Sequence, residues 1–170
     1  VSYPLFKMML VAYVCKIATA WGVMKSLIQR NKHQGNVTSP ESQPLVSVII
    51  PVYNRPEIIL DAVKSVQNQT YKNWELIIVD DASTDTTWDV IQKIAETDNR
   101  IRVFRHETNR SCGAGRNTGI VHAQGKYLAF LDSDDVWLPE KLEKQVAVFE
   151  KGSGNLGLVY TGVTIINNHG

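Results

Sequence analysis

Residues 79–85 read VDDASTD and residues 130–137 read FLDSDDVW, so twice the chain ends an apolar run in a cluster of carboxylates. Asp80 and Asp81 form the first cluster; Asp132, Asp134 and Asp135 form the second. Acids brought together repel, and they persist only where a cation or hydrogen-bond donors neutralise them. Mg2+ and Mn2+ suit hard oxygen ligands, and Mg2+ takes one or two protein carboxylates and fills its shell with water and substrate phosphates. In an extended segment Asp132 and Asp134 project to the same side, which is the spacing such an ion needs. Alone, the DSD triplet reads as a solvated acidic turn capping the next helix; its meaning depends on what else reaches the same place.

Other chemistries fit the motifs less well. DSDDVWLPEKLE, residues 132–143, has acids at the first, third and twelfth positions of a calcium loop. Val136 stands at the fifth, however, and Trp137 where the sharp turn needs glycine. GAGRNTG, residues 113–119, is similar to a dinucleotide-binding glycine loop, yet its third glycine falls one residue late and a long loop precedes it. No GKS or GKT stretch occurs, so there is no P-loop. A phospho-accepting receiver would need a Lys after a fifth strand, and none stands there. His33, His106, His122 and His169 lack metal-ligand spacing and read as surface or loop histidines.

The elements that must position these acids follow from periodicity. Continuous apolar, β-branched runs at 45–50 and 74–80 predict strands buried on both faces, with further strands at 101–106 and 126–132 and a last strand or strand pair at 156–166. Helices are expected at 56–69, opened by Pro56, at 85–96, capped by Asp or Thr, within 113–125, ending near Gly125, and at 138–152. Alternation of strand and helix predicts an α/β fold, a mostly parallel sheet flanked by helices. Ligands bind such sheets beyond the carboxyl ends of the strands. Pro51 to Asn54, Asp80, Asp81, Asp132 and Asp134 should therefore converge on one edge.

The 170 residues suffice for one domain with a core, and 44% apolar against 21% charged residues reads as globular. A net charge of +1 gives no electrostatic basis for binding nucleic acid. Cys15 and Cys112, two isolated cysteines, make neither a disulfide framework nor a zinc site and suit a reducing compartment. Residues 1–30 are predicted as an apolar helical segment, 31–44 as a linker and 45–170 as the folded domain. The apolar stretch 8–24 would reach roughly 25 Å as a helix, short of about 30 Å of hydrocarbon, and Lys16 interrupts it. Lys16 at mid-bilayer would cost about 2.5–3.5 kcal/mol, which disfavours a span. A helix lying on a membrane surface, or packed on another part of the protein, remains.

Read together, VSVIIPVYNR (46–55), LDAVKSVQNQTYKNWELIIVDDASTD (60–85), GAGRNTGI (113–120) and GKYLAFLDSDDVWLPEKL (125–142) resemble the donor-binding half of glycosyltransferase family 2. These are inverting enzymes with the Rossmann-like GT-A nucleotide-sugar-binding fold. The resemblance covers about residues 45 to 166. It implies transfer of a sugar from a nucleotide-diphosphate sugar, a UDP-sugar foremost, to an acceptor hydroxyl, with Mg2+ or Mn2+ as cofactor. On the matching positions Pro51 and Tyr53 would border the base, and Asp81 would read a uracil N–H. Asp132, with Ser133 beside it, would face the ribose, and Asp134, with Asp132, would hold the metal. Asp80 would hold loop amides, and Asp135 would contribute indirectly. Arg116, with Asn117 in the family's RN pair, has two open roles: approaching the diphosphate or pinning the Asp80–Asp81 loop. Arg55, next to Asn54, either reaches a phosphate or is a solvated loop residue.

The family's catalytic base belongs to the acceptor-binding half, so it is expected beyond residue 170. Expected partners are the nucleotide-sugar donor and a saccharide or lipid-linked acceptor, without nucleic acid. Peripheral membrane contact through residues 4–24 would place the protein at the cytoplasmic face of the membrane. Two other readings stand beside this one. A nucleotidyltransferase on a similar sheet would need a glycine-rich basic loop, and PVYNRPE lacks the glycines. A non-catalytic nucleotide-binding or assembly fragment is the other.

Overall fold

A computed structural model describes residues 13–16, 43–152 and 156–165. Along them run β1 (Tyr13–Lys16), β2 (Val46–Val52), α1 (Ile58–Gln67), β3 (Trp74–Asp80), α2 (Thr87–Thr97), β4 (Ile101–Arg105), α3 (Ser111–His122), β5 (Tyr127–Phe130), α4 (Lys141–Lys151) and β6 (Leu158–Tyr160). Every residue of β2 and β3 is buried, as helices covering both faces require, and the polar Ser47 and Glu75 within them meet each other at 2.6 Å. β2 is central. It pairs in parallel with β3, from Val46 opposite Trp74 to Val52 opposite Asp80, and in parallel with β5 on its other side. β3 pairs in parallel with β4. Two antiparallel pairings, β5 with β1 and β1 with β6, extend the sheet to the order β4-β3-β2-β5-β1-β6.

The sheet is the mostly parallel one the alternation predicts, and each helix falls inside its predicted segment or within a few residues of it. Tyr13–Lys16, inside the apolar segment predicted as helix, are strand instead, and they satisfy the edge of β5 that would otherwise lie open. The rest of residues 1–30, most of the 31–44 linker, and His33 and His169 lie outside the described residues. Of the strand or pair expected at 156–166, only Leu158–Tyr160 are strand. Among the described residues no helix is long and apolar enough to cross a membrane.

One face of the sheet packs Ile59, Ala62, Val63 and Val66 of α1, Ile91 of α2, and Leu142, Val146 and Phe149 of α4 into the larger core. The other face carries Ile49, Ile77, Val79 and Leu128 beneath α3. There the glycines of GAGRNTG find their use. A Cβ on Gly115 would stand 2.9 Å from Pro51 Cβ, and one on Gly119 would stand 2.4 Å from Ile49 Cγ2. The two glycines lie one helical turn apart and let α3 rest directly on β2. This close contact sets Arg116 above the carboxyl end of the sheet. Gly125, expected near a helix end, lies three residues past α3 and donates its amide to Ser47 Oγ at 2.8 Å.

The turn that follows the second acidic cluster is fixed by a buried glutamine. Gln69 Nε2 donates to the carbonyls of Ser65 (3.0 Å) and Leu138 (2.9 Å), and its Oε1 accepts the Leu142 amide at 3.0 Å. This ties the end of α1 to the start of α4. Beside it Lys141, 9% exposed, donates to Gln145 Oε1 at 2.6 Å and lies 4.3 Å from the Trp137 ring centroid.

Burial pushes the Lys141 ammonium down to about 8. An unfolded chain keeps this proton to about pH 10.4, so between those values the unfolded state binds more protons and stability rises with pH. Below pH 8 the charged amine weighs against folding by an amount on the order of 3 kcal/mol, offset in part by its hydrogen bond and the Trp137 ring. Lys141→Met should therefore raise Tm, by about 2–4 °C for each kcal/mol recovered. Thermal melts from pH 6 to pH 10 should show the gain largest below pH 8 and shrinking toward pH 10. A gain independent of pH would contradict the burial argument.

Candidate functional site

Parallel register brings the strand ends to one rim. Val52 and Asp80 close β2 and β3 side by side, and the Asp81 amide donates to the Val52 carbonyl at 2.9 Å. On the other side Ile49 stands opposite Phe130, and the Leu131 amide reaches the Ile49 carbonyl at 3.0 Å, so Asp132 to Asp134 emerge beside Pro51 and the residues that follow it.

The loop after β2 is stitched to the loop after β3. Asn54 adopts φ 50°, a left-handed conformation that its short amide tolerates. Its backbone amide donates to Ser83 Oγ at 2.9 Å, its Oδ1 accepts the Thr84 amide at 2.8 Å, and its Nδ2 reaches Thr84 Oγ1 at 3.2 Å. The Arg55 amide donates to Thr87 Oγ1 at 2.8 Å. Thr87 in turn gives its amide (2.9 Å) and hydroxyl (2.5 Å) to Asp85 Oδ1, an Asx turn just before α2, whose N-cap Thr86 makes no side-chain capping bond.

Asp80 and Asp81 turn opposite ways. Asp80, fully buried, accepts the Ser83 amide (3.2 Å to Oδ2) and pairs with Arg105 Nε at 3.1 Å, so it holds the loop. Asp81, 3% exposed, takes two donors on Oδ1: the His106 Nδ1 at 2.7 Å and the Arg110 amide at 2.8 Å. His106 is a loop residue, as read, but not a surface one. It is buried, and its Nε2 lies 2.8 Å from Thr118 Oγ1 of α3. His122 is half-buried, stacked on Phe104 at 3.9 Å between centroids.

The second acidic cluster is neutralised by arginines. Arg116 Nη2 meets Asp132 Oδ1 at 2.5 Å, and Arg55 Nη1 meets Asp134 Oδ2 at 2.6 Å. Arg55 is therefore not merely solvated, and Arg116 neither pins the Asp80–Asp81 loop nor stands apart from the DSD segment. Ser133 between the two acids is buried, Pro51 is buried under α3, and Tyr53 is exposed at the rim. Both arginine pairs are partly open to solvent, where an ion pair contributes about 0.2–1 kcal/mol. Exchanging an arginine from its carboxylate to an incoming anion is correspondingly cheap.

Among the described residues no three His, Cys, Asp or Glu side chains gather into a metal cage. Two carboxylates, each with one oxygen engaged by an arginine, fit instead a cation that takes most of its shell from phosphates and water. His106, Thr118, Ser83 and Arg105 escaped the motif reading. The rule that gathered the acids would have found His106, because it is the first residue after β4, whose Arg105 stands opposite Asp80.

Comparisons with known proteins agree on the family. A family model described as Glycosyl transferase family 2 matches residues 47–165. The Bacillus subtilis (strain 168) glycosyltransferase TuaG, whose name assigns it to teichuronic acid biosynthesis, is 44% identical over 128 residues, 75% of this chain and 50% of that protein. The Escherichia coli UDP-Glc:alpha-D-GlcNAc-diphosphoundecaprenol beta-1,3-glucosyltransferase WfgD is 40% identical over 125 residues, 74% of this chain and 48% of that protein. The chain thus spans about half the length of these relatives. Among solved structures, S. aureus TarS 1–349 in complex with UDP-GlcNAc aligns with TM-score 0.57 and 34% identity, over 62% of this chain and 31% of that one.

Asp80 is assigned a structural task by its contacts, and that is testable. Asp80→Asn removes the charge that faces Arg105 and weakens the acceptor of the Ser83 amide, so it should cost about 1–3 kcal/mol. Urea unfolding should show a lower midpoint with an unchanged slope. A midpoint equal to that of the unaltered protein would mean that the pair contributes nothing.

Proposed function

Because the chain belongs to glycosyl transferase family 2, we propose that it is the donor-binding part of an enzyme that moves a sugar from a UDP-sugar to an acceptor hydroxyl with inversion, aided by Mg2+ or Mn2+. The observation that carries this reading is the sheet edge that buried Asp81, with both its described donors on Oδ1, shares with the two arginine–aspartate pairs, on either side of the end of β2. UDP-GlcNAc in complex with a similar chain supports the choice of base.

The roles follow from chemistry at each position. Asp81 Oδ2 accepts the imide N–H of uracil, a charge-assisted bond, while Pro51 and Tyr53 border the ring. Asp132, beside Ser133, faces the ribose hydroxyls. Arg55 and Arg116 turn from their carboxylates to the diphosphate, and Asn54 keeps the loop that carries Arg55 in place. Asp134, with Asp132, would hold the cation, and Asp135 would support it indirectly; such an ion would supply positive charge against the departing diphosphate. The acceptor oxygen forms its bond to the anomeric carbon from the face opposite the diphosphate, the bond to the diphosphate oxygen breaks, and configuration inverts. The hydroxyl proton goes to a base that we assign to none of the described residues.

WfgD is named for a diphosphoundecaprenol-linked acceptor. A lipid-linked saccharide is accordingly the acceptor we favour here, with the protein working at the cytoplasmic face of the membrane.

Calorimetric titration tests the donor and metal together. The full-length protein should bind UDP in the presence of Mn2+, and Asp134→Asn should weaken that binding by about tenfold or more, on the order of 1.4 kcal/mol. Equal affinity with and without Mn2+ would remove the metal from the proposal, and no UDP binding under either condition would remove the function. The anomer of the product, read by NMR, decides inversion.

A further inference from the structure

We infer that His106 is a positioning residue that sets nucleobase selectivity by fixing which oxygen of Asp81 faces the donor. The inference rests on the reading of Asp81 as the base-recognising carboxylate and extends it to a buried relay behind that residue.

A carboxylate oxygen only accepts, so the 2.7 Å contact between Asp81 Oδ1 and His106 Nδ1 requires the proton on Nδ1. In the neutral ring Nε2 then carries the lone pair, and at 2.8 Å it accepts the hydroxyl proton of Thr118. The Asp81 carboxylate thereby fixes the tautomer, and Thr118, whose hydroxyl can donate or accept, anchors the far nitrogen and holds the ring in line with Asp81. The ring has no room to turn: the His106 side chain is 6% exposed and the Asp81 side chain 4%. The backbone is held as well, because the His106 amide donates to the Asp80 carbonyl at 2.9 Å. Three elements meet here: the end of β3, the residue after β4, and α3.

The second donor on Oδ1 is the amide of Arg110, in a run of exposed residues from 107 to 110. Both described donors converge on Oδ1, and among the described residues no donor meets Oδ2. A carboxylate held by one oxygen presents the other in a fixed direction. Uracil offers an N–H to that oxygen. Cytosine offers a lone pair at the same ring position, which sets two acceptors against each other. A site built for the N–H rejects the base that lacks it. If His106 were absent, Asp81 would keep only the exposed-loop amide, and its carboxylate could rotate to suit either base. The ratio of UDP to CDP affinity is therefore the readout of His106, whereas general loosening of the fold would weaken both ligands alike.

The experiment titrates UDP, and CDP in competition, into the full-length protein and its His106→Leu, His106→Asn, Thr118→Val and Asp81→Asn variants, with a thermal melt of each. His106→Leu should weaken UDP about tenfold and CDP less than about threefold. His106→Asn, whose side-chain amide donates from near the place of Nδ1, should restore most of the UDP preference. Thr118→Val should lose a few-fold of it. Should His106→Leu fail to fold, the Asn and Val variants carry the test. An unchanged UDP-to-CDP ratio in every folded His106 and Thr118 variant, while Asp81→Asn abolishes UDP binding, would overturn the role of His106 and leave the donor reading intact. If Asp81→Asn leaves UDP binding unaltered, the base-recognition reading itself fails, and the role of His106 falls with it.

Discussion

Val52 of β2 stands opposite Asp80 of β3 in a parallel pairing, and much of the site follows from that alignment. Parallel strands deliver their carboxyl ends to the same side of the sheet, so residues far apart in sequence arrive together without any loop being long. Because both faces of β2 and β3 are covered, slipping the register by one residue would turn a full set of packed side chains around. The apolar core thus holds the polar rim in place. α3 adds the third dimension. Gly115 and Gly119 allow a separation from β2 that a side chain would forbid, and Arg116 comes to the rim because of that closeness.

Charge is managed in two ways on this rim, and the difference matches burial. Asp80 and Asp81 are almost free of solvent, where an unpaired carboxylate would be costly. Each is met by two donors, Asp80 by the Ser83 amide and Arg105 and Asp81 by His106 and the Arg110 amide, and burial keeps water from competing with them. Asp132 and Asp134 keep about a quarter of their side-chain surface exposed, and each is met by one arginine. Water lowers the worth of those pairs and makes them exchangeable. A nucleotide needs both kinds of site: a fixed acceptor for the base, where selectivity is decided, and mobile cations for the diphosphate, where charge changes during reaction.

The fold was legible because its signals are strong: unbroken β-branched runs, helical stripes between them, and acids where the strands stop. The convergence of those acids followed from the strand-end rule alone. His106 was not legible in the same way. Lacking a metal-ligand spacing, it read as a surface histidine, and only its partners on two other elements, Asp81 and Thr118, bury it. The purpose of the glycines in GAGRNTG, once a dinucleotide loop is set aside, was not legible for a related reason. Glycine in a helix marks close approach as well as a phosphate loop, and the residue approached, Ile49, lies some seventy positions away. Nor could the pairing of Arg55 with Asp134 and Arg116 with Asp132 be read from spacing, because tertiary contact alone selects an arginine's partner. The strand at Tyr13–Lys16 answers to the open edge of β5, a demand that local hydropathy does not record.

Among the described residues three non-glycine residues adopt positive φ, Asn54 at 50° and Ala82 at 62° in the loops after β2 and β3, and Ser111 at 76° at the start of α3. A left-handed conformation costs a residue with a Cβ roughly 1–2 kcal/mol. Asn54 recovers part of that through its bonds to Ser83 and Thr84, whereas the methyl side chain of Ala82 can make no such bond. Ala82 sits between Asp81 and Ser83, so its turn is set by neighbours that are themselves bound: Asp81 by His106 and Arg110, Ser83 by Asp80 and Asn54. Strain persists only where the surroundings over-determine the backbone. Here the excess of bonds settles the loop conformation before any ligand arrives, so binding need not supply the ordering of these segments. The arginines, each held by one partly exposed ion pair, are then the least fixed groups of the rim.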